Sequence, residues 1–150
     1  MESGTLTIVT GGVIPSNTPV RVESGATLNL NNFPVSVSTF TGAGTVSGGA
    51  VTVTNAVRAT CAELFANKYA TFGGNLTFAP GATFTITDPE HLEAYKNHGA
   101  VTAFTAASVT GTPTLAFEGG APQGVKWSLF KKDAGTYNFG AVIGTMILLK

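Results

Sequence analysis

The strongest constraint in this chain is a two-residue hydrophobic rhythm that keeps restarting. Leu6 and Ile8 alternate with Thr5 and Thr7, Val20 and Val22 with Arg21 and Glu23, and Leu28 and Leu30 with Thr27 and Asn29. The rhythm returns at Val35/Val37, Val51/Val53, Leu76/Phe78, Phe84/Ile86, Leu115/Phe117 and Trp127/Leu129, cut off each time by Gly, Pro, Asn or Ser. Successive side chains of a strand point to opposite faces, so each run predicts a short strand with one apolar face. Many short strands separated by turn residues predict an all-β sandwich, barrel or solenoid.

Internal repetition chooses among the three. Val22-Glu23-Ser24-Gly25-Ala26-Thr27-Leu28-Asn29-Leu30 aligns with Phe78-Ala79-Pro80-Gly81-Ala82-Thr83-Phe84-Thr85-Ile86, apolar residues in register. Both read as a strand, a Gly-Ala-Thr corner and a second strand. Phe40–Val46 is a looser copy, and Lys132-Asp133-Ala134-Gly135-Thr136-Tyr137 gives a fourth Gly-Thr corner. Glycine allows a positive φ at the bend, and the small residue beside it lets the chain pass close to the next level. A stacked coil reuses its corner at every level, which a sandwich does not require, so the repeats favour a solenoid. At around twenty residues per coil, six to eight levels are expected.

Two segments depart from the rhythm. Asp88–Gly99 reads as a helix, with Asp88 as cap, Pro89 at the first position, Glu90 and Glu93 near the start, and Lys96, His98 and Gly99 at the end. Leu92 and Tyr95 form its apolar face. Within Ala56–Tyr69, Val57, Cys61, Leu64, Phe65 and Tyr69 recur at helical spacing and predict a turn or two around Ala62–Asn67.

At 150 residues the chain is long enough for one core without metal or disulfide support. Only 11% of residues are charged and the formal net charge is zero, so the surface relies on Thr, Ser, Asn and Gly. No basic patch suited to nucleic acid is present. Cys61 is the sole cysteine, which excludes an internal disulfide. Met1-Glu2 lacks the basic start and apolar run of a signal peptide and is read as a processed or cut boundary. The apolar run Ala141–Leu149 contains Gly144 and Thr145 and falls short of the roughly 20 residues of a membrane helix, so no membrane insertion by this segment is expected.

The stretches Gly25-Ala26-Thr27-Leu28-Asn29-Leu30 and Gly42-Ala43-Gly44-Thr45-Val46 resemble the autotransporter-associated β-strand repeat, in which a GATL-x-L strand is followed by a GAGTV turn and strand. Gly74–Phe84 is similar to another recurrent piece of these proteins. Ala106–Leu115, followed by Lys126-Trp127-Ser128-Leu129, resembles their C-terminal ending. The resemblance implies a right-handed parallel β-helix serving as passenger or stalk at a bacterial surface, with no catalytic residues to carry over.

Catalytic chemistry on such a scaffold needs converging carboxylates or a cation site. The acidic residues, Glu2, Glu23, Glu63, Asp88, Glu90, Glu93, Glu118 and Asp133, include no Asp-x-Asp or Asp-Asp pair. Glu90 and Glu93 are read as partners of a helix dipole. His91 and His98, two turns apart and roughly 10 Å by helical rise, are read as solvated rather than as joint metal ligands. Cys61 is read as a small buried hydrophobe. No phosphate-binding glycine loop and no Ca²⁺-binding nonapeptide repeat occur. Thr-x-Thr pairs recur at 5/7, 39/41, 52/54, 83/85/87 and 110/112/114, but their uneven sequence spacing argues against an ice-binding array. Phe84 and Trp127 are assigned to the core, and Tyr95 and Tyr137 to partly exposed positions.

The chain is therefore expected to be one all-β domain over residues 1–150. Its expected form is a right-handed parallel β-helix (β-solenoid), with helical excursions near 60–69 and 89–98. The expected function is a non-enzymatic structural or adhesive segment, extracellular or at a bacterial cell surface, with no cofactor, metal or nucleic-acid partner. A second reading is an extracellular fibre subunit, a homo-oligomer stacking end to end. Its candidate self-association residues are Leu6 and Ile8 at one end and Met146 and Leu148 at the other, because uncapped rungs invite another chain. A third reading is a module that binds surface glycans.

Overall fold

The computed structural model describes residues 4–7, 14–143 and 146–147. Its strands are β1 (Gly4–Thr7), β2 (Thr18–Arg21), β3 (Ala26–Asn29), β4 (Val35–Thr41), β5 (Thr45–Ser47), β6 (Val51–Ala59), β7 (Ala70–Phe78) and β8 (Thr83–Ile86), followed by β9 (Val101–Thr110), β10 (Thr114–Phe117), β11 (Lys126–Asp133), β12 (Thr136–Ile143) and β13 (Met146–Ile147). Helix α1 (Cys61–Phe65) and a 3-10 helix (Pro89–Tyr95) lie within the two segments expected to be helical. The all-β class with short helices is as expected.

Strands pair in parallel with the strand two further along. One ladder runs β1, β3, β5, β7, β9, and another β2, β4, β6, β8, β10. The longer strands also build a third ladder, in which Val35 lies opposite Val51, Val51 opposite Leu76, and Leu76 opposite Val109. Register shifts at Val37/Thr39 and Phe72/Asn75 mark where strands pass from one ladder to the next. The two expected corners are alike in detail. Ala26 N–H donates to Glu23 O and Ala82 N–H to Ala79 O, both at 2.9 Å, with Gly25 at φ +89° and Gly81 at φ +85°. Positive φ at the third position, with Pro80 at the second of one copy, is the type II turn pattern.

The sheet is mixed, not the uniformly parallel coil expected for residues 1–150. β12 pairs antiparallel with β11, β9 and β13. The segment Lys132–Tyr137, expected to be a further corner between levels, is the turn of the β11–β12 hairpin. A connection this short reverses the chain, whereas parallel neighbours need a long crossover. Asp133 Oδ1 accepts the Gly135 N–H at 3.0 Å, and Gly135 passes so close that an added Cβ would stand 2.1 Å from Ala106 O. Among the described residues the parallel pairings make five levels, β1/β2 to β9/β10, fewer than the six to eight expected. The chain beyond β10 turns back as the antiparallel β11–β12 hairpin instead of forming a further coil.

The core lies between the ladders and is built of stacked columns, such as Leu28–Val46–Phe72 and Val20–Phe40–Val57–Phe84–Leu115. Among the described residues no polar or charged residue is buried. The ring of Phe104 joins the columns, 5.5 Å from Phe78, 5.7 Å from Phe84 and 5.1 Å from Tyr137. Phe84 and Trp127 are core residues as expected. Tyr137 is a correction: it is buried, because the hairpin folds it onto Phe104.

Candidate functional site

The two ends of the stack, named as self-association sites from sequence, differ in construction. At the first end, the described pairing of β1 is with β3 alone and that of β2 with β4 alone, leaving an outer edge on each. Leu6, on β1, is 55% exposed and is the large hydrophobic side chain left open among the described residues. Beside it lies an apolar groove of ≈ 320 Å³, lined by Leu6, Ile14, Pro15, Val20, Val22 and Leu28 among others. Among the described residues, no strand pairs with the outer edges of β1 and β2, beside which the groove lies. Pro19 sits in the middle of β2 and has no N–H to offer, which blunts that edge against another strand.

At the opposite end the hairpin lies across the last parallel level. Met146 belongs to β13, whose backbone pairs with Ile143 of β12. Leu6 and Met146 therefore occupy opposite ends. Ile8 and Leu148 lie outside the described residues.

Asp88 and Glu63, on the helical side, are engaged in holding the fold. Thr60 caps α1: its Oγ1 accepts the Glu63 N–H at 3.2 Å and donates to Glu63 Oε1 at 3.0 Å. Thr60-Cys61-Ala62-Glu63 has the spacing of a capping box, a signal in the sequence that the apolar periodicity alone overlooked. Asp88 makes no side-chain cap on the 3-10 helix it precedes. Its Oδ1 accepts the Cys61 N–H at 2.8 Å and its Oδ2 meets His91 Nδ1 at 3.1 Å. One carboxylate thus ties the second helix to the start of the first.

Cys61 is fully buried, and burial, reinforced by the neighbouring Asp88 carboxylate, pushes its thiol up to about 12. Such a thiol is protonated at physiological pH and is no nucleophile. His91 is exposed, whereas His98, expected to be solvated, is partly buried with its ring edge-on to Phe65 at a centroid distance of 5.0 Å. Glu23, Glu93 and Glu118 pair with Arg21, Lys96 and Arg58 respectively. Among the described residues no three His, Cys, Asp or Glu side chains are grouped to hold a metal, and no helix is long and apolar enough to cross a membrane. No protein-family model, curated protein or solved structure matches the chain.

Proposed function

We propose that the chain is a non-catalytic, structural β-solenoid segment of an exported bacterial surface protein, extending and displaying other parts of its parent. The observation that carries this is the in-register parallel pairing of each strand with the one two further on, over β1 to β10. In such a stack each level contacts only its neighbours, so added levels lengthen the body without changing its cross-section. The resemblance of the Gly25–Leu30 and Gly42–Val46 stretches to autotransporter-associated repeats supports the surface location.

A second reading, end-to-end assembly into a fibre, is favoured by exposed Leu6 beside its apolar groove. Pro19 on the neighbouring edge weighs against it.

Negative-stain electron microscopy with light scattering, across a concentration series, tests both. Discrete, slightly elongated particles at every concentration are expected. Filaments of uniform width would replace the first reading with the second, and a flexible or expanded chain would overturn both.

A further inference from the structure

Uneven sequence spacing hides a regular column on the outer face of the first ladder. Thr5 lies opposite Thr27, Thr27 opposite Thr45, Thr45 opposite Thr71, and Thr71 opposite Thr105. The antiparallel strand β12 continues the column with Thr136 opposite Thr105. Along one flank, Thr7, Asn29 and Ser47 form a second, shorter column. Neighbouring strands lie about 4.7–4.9 Å apart, so one hydroxyl and one methyl recur at that interval from level to level. The unequal lengths between these threonines are absorbed by α1, the 3-10 helix and the loops, none of which disturbs the register.

Two further observations separate this face from an ordinary polar surface. No ionisable residue lies in β1, β3 or β5, nor in the paired segments Ala70–Phe72 and Phe104–Ala106; the column meets a charge only at its far end, where Asp133 stands opposite Thr136. The ladder of β2, β4, β6 and β8, in contrast, carries Arg21 and Arg58 in line with Thr41 and Thr85. The hydroxyls also differ in what they bond. On the third ladder Ser108 and Thr110 both donate to Asn75 Oδ1, at 2.6 and 3.3 Å, and Asn75 donates to Thr77 Oγ1 at 2.9 Å. That face spends its hydrogen bonds on itself. Among the described residues, the side chains of Thr5, Thr27, Thr45, Thr71 and Thr105 make no such bond, and all five remain at least partly open to solvent.

We propose that this threonine face binds crystalline water, that is, the surface of ice. A β-branched side chain on a strand has little rotational freedom, so the hydroxyls are ordered before contact and little entropy is lost on meeting an ordered lattice. The level-to-level interval is close to the oxygen repeat in the basal plane of hexagonal ice. The methyl groups displace loosely held water, and the absence of charge in the paired segments from Thr5 to Thr105 avoids strongly oriented hydration shells that would compete with the lattice. This inference is independent of where the parent protein acts and of whether its ends assemble.

The test is partition of the fluorescently labelled chain into a slowly growing ice hemisphere, together with microscopy of ice recrystallisation. The wild-type chain is expected to enter the ice above a size-matched control protein and to slow grain growth. Thr71→Lys, in the middle of the column, is expected to lower incorporation about tenfold, the effect of about 1.4 kcal/mol of lost contact. Thr52→Lys, on the third ladder, is expected to leave it unchanged. Thr45→Val with Thr71→Val keeps the shape and removes two hydroxyls, and circular dichroism checks that each variant is folded. Exclusion of the wild-type chain from ice to the same degree as the control, or equal loss in Thr71→Lys and Thr52→Lys, would overturn the proposal.

Discussion

The carboxylate of Asp88 accepts the backbone N–H of Cys61 at 2.8 Å, so the residue that precedes one helical segment caps the other. The first N–H groups of a helix have no partner within it, and α1 is only one turn long, so the supply of acceptors at its start decides whether it forms. Asp88→Ala is expected to lower stability by about 1–2 kcal/mol, the usual value of a lost cap. Asp88→Asn, which keeps an acceptor oxygen, should lose less. Urea denaturation followed by tryptophan fluorescence checks both, and equal losses would refute the cap.

Cys61 gives the fold a signature at alkaline pH. Its thiol is held at about 12 against an ordinary value of 9.0, so between those values the unfolded chain releases a proton that the folded chain keeps. Its contribution to stability is complete below pH 9 and is lost as pH rises toward 12. Burial also raises the Tyr137 phenol above its ordinary 10.0, adding to the loss in the upper part of that window. The melting temperature of the wild-type chain should fall over this range, and Cys61→Ala should make the fall shallower. A thiol reagent at pH 8 should react with the native protein far more slowly than with the urea-unfolded protein.

Two positive-φ glycines should differ sharply in tolerance. Gly25 has φ +89° with open space where a Cβ would stand, so Gly25→Asn is expected to cost about 1 kcal/mol, the left-handed penalty alone. At Gly42, φ is +107° and a Cβ would stand 2.3 Å from Val22 O, because the chain crosses the level below at backbone contact. Gly42→Asn is expected to cost more than about 2 kcal/mol, strain and clash together. Thermal melts of the two variants check the ordering.

Phe104 is the ring on which the ladders and the C-terminal hairpin meet. Phe104→Ala is expected to destabilise the protein by about 3–5 kcal/mol, as large cavities in aromatic cores do. It should also free Tyr137, whose ring stacks on Phe104 at 17°. Hydrogen exchange should then rise first in Thr136–Ile143. Uniform loss of protection would show instead that the hairpin and the ladders unfold as one unit.

Much of the fold was legible in the residues, because the signals involved are local. Period-two alternation located the strands, and Gly25 and Gly81 located corners that prove identical in hydrogen bonding. The helical segments were legible from Pro89 and from the apolar spacing around Cys61. Asp88 was misassigned because a cap on the following helix and a cap on a distant one look the same in sequence. The hairpin was misassigned because Asp133-Ala134-Gly135-Thr136 resembles a corner, and only its pairing with β9 and β11 reveals a reversal.

The sequence by itself determined where most strands lie and which of their side chains share a face, since alternation and glycine conformation depend on near neighbours alone. That Tyr137 is buried while Leu6 is exposed came from the tertiary structure. The threonine column was decided by the tertiary structure. Whether Thr45 stands above Thr27 and below Thr71 depends on how much chain each connection takes up, and the helical segments store different lengths at different levels. Register comes from backbone hydrogen bonds between strands and from core columns that must stay aligned. A one-residue slip would turn every inward side chain out, and no spacing counted along the chain contains that constraint.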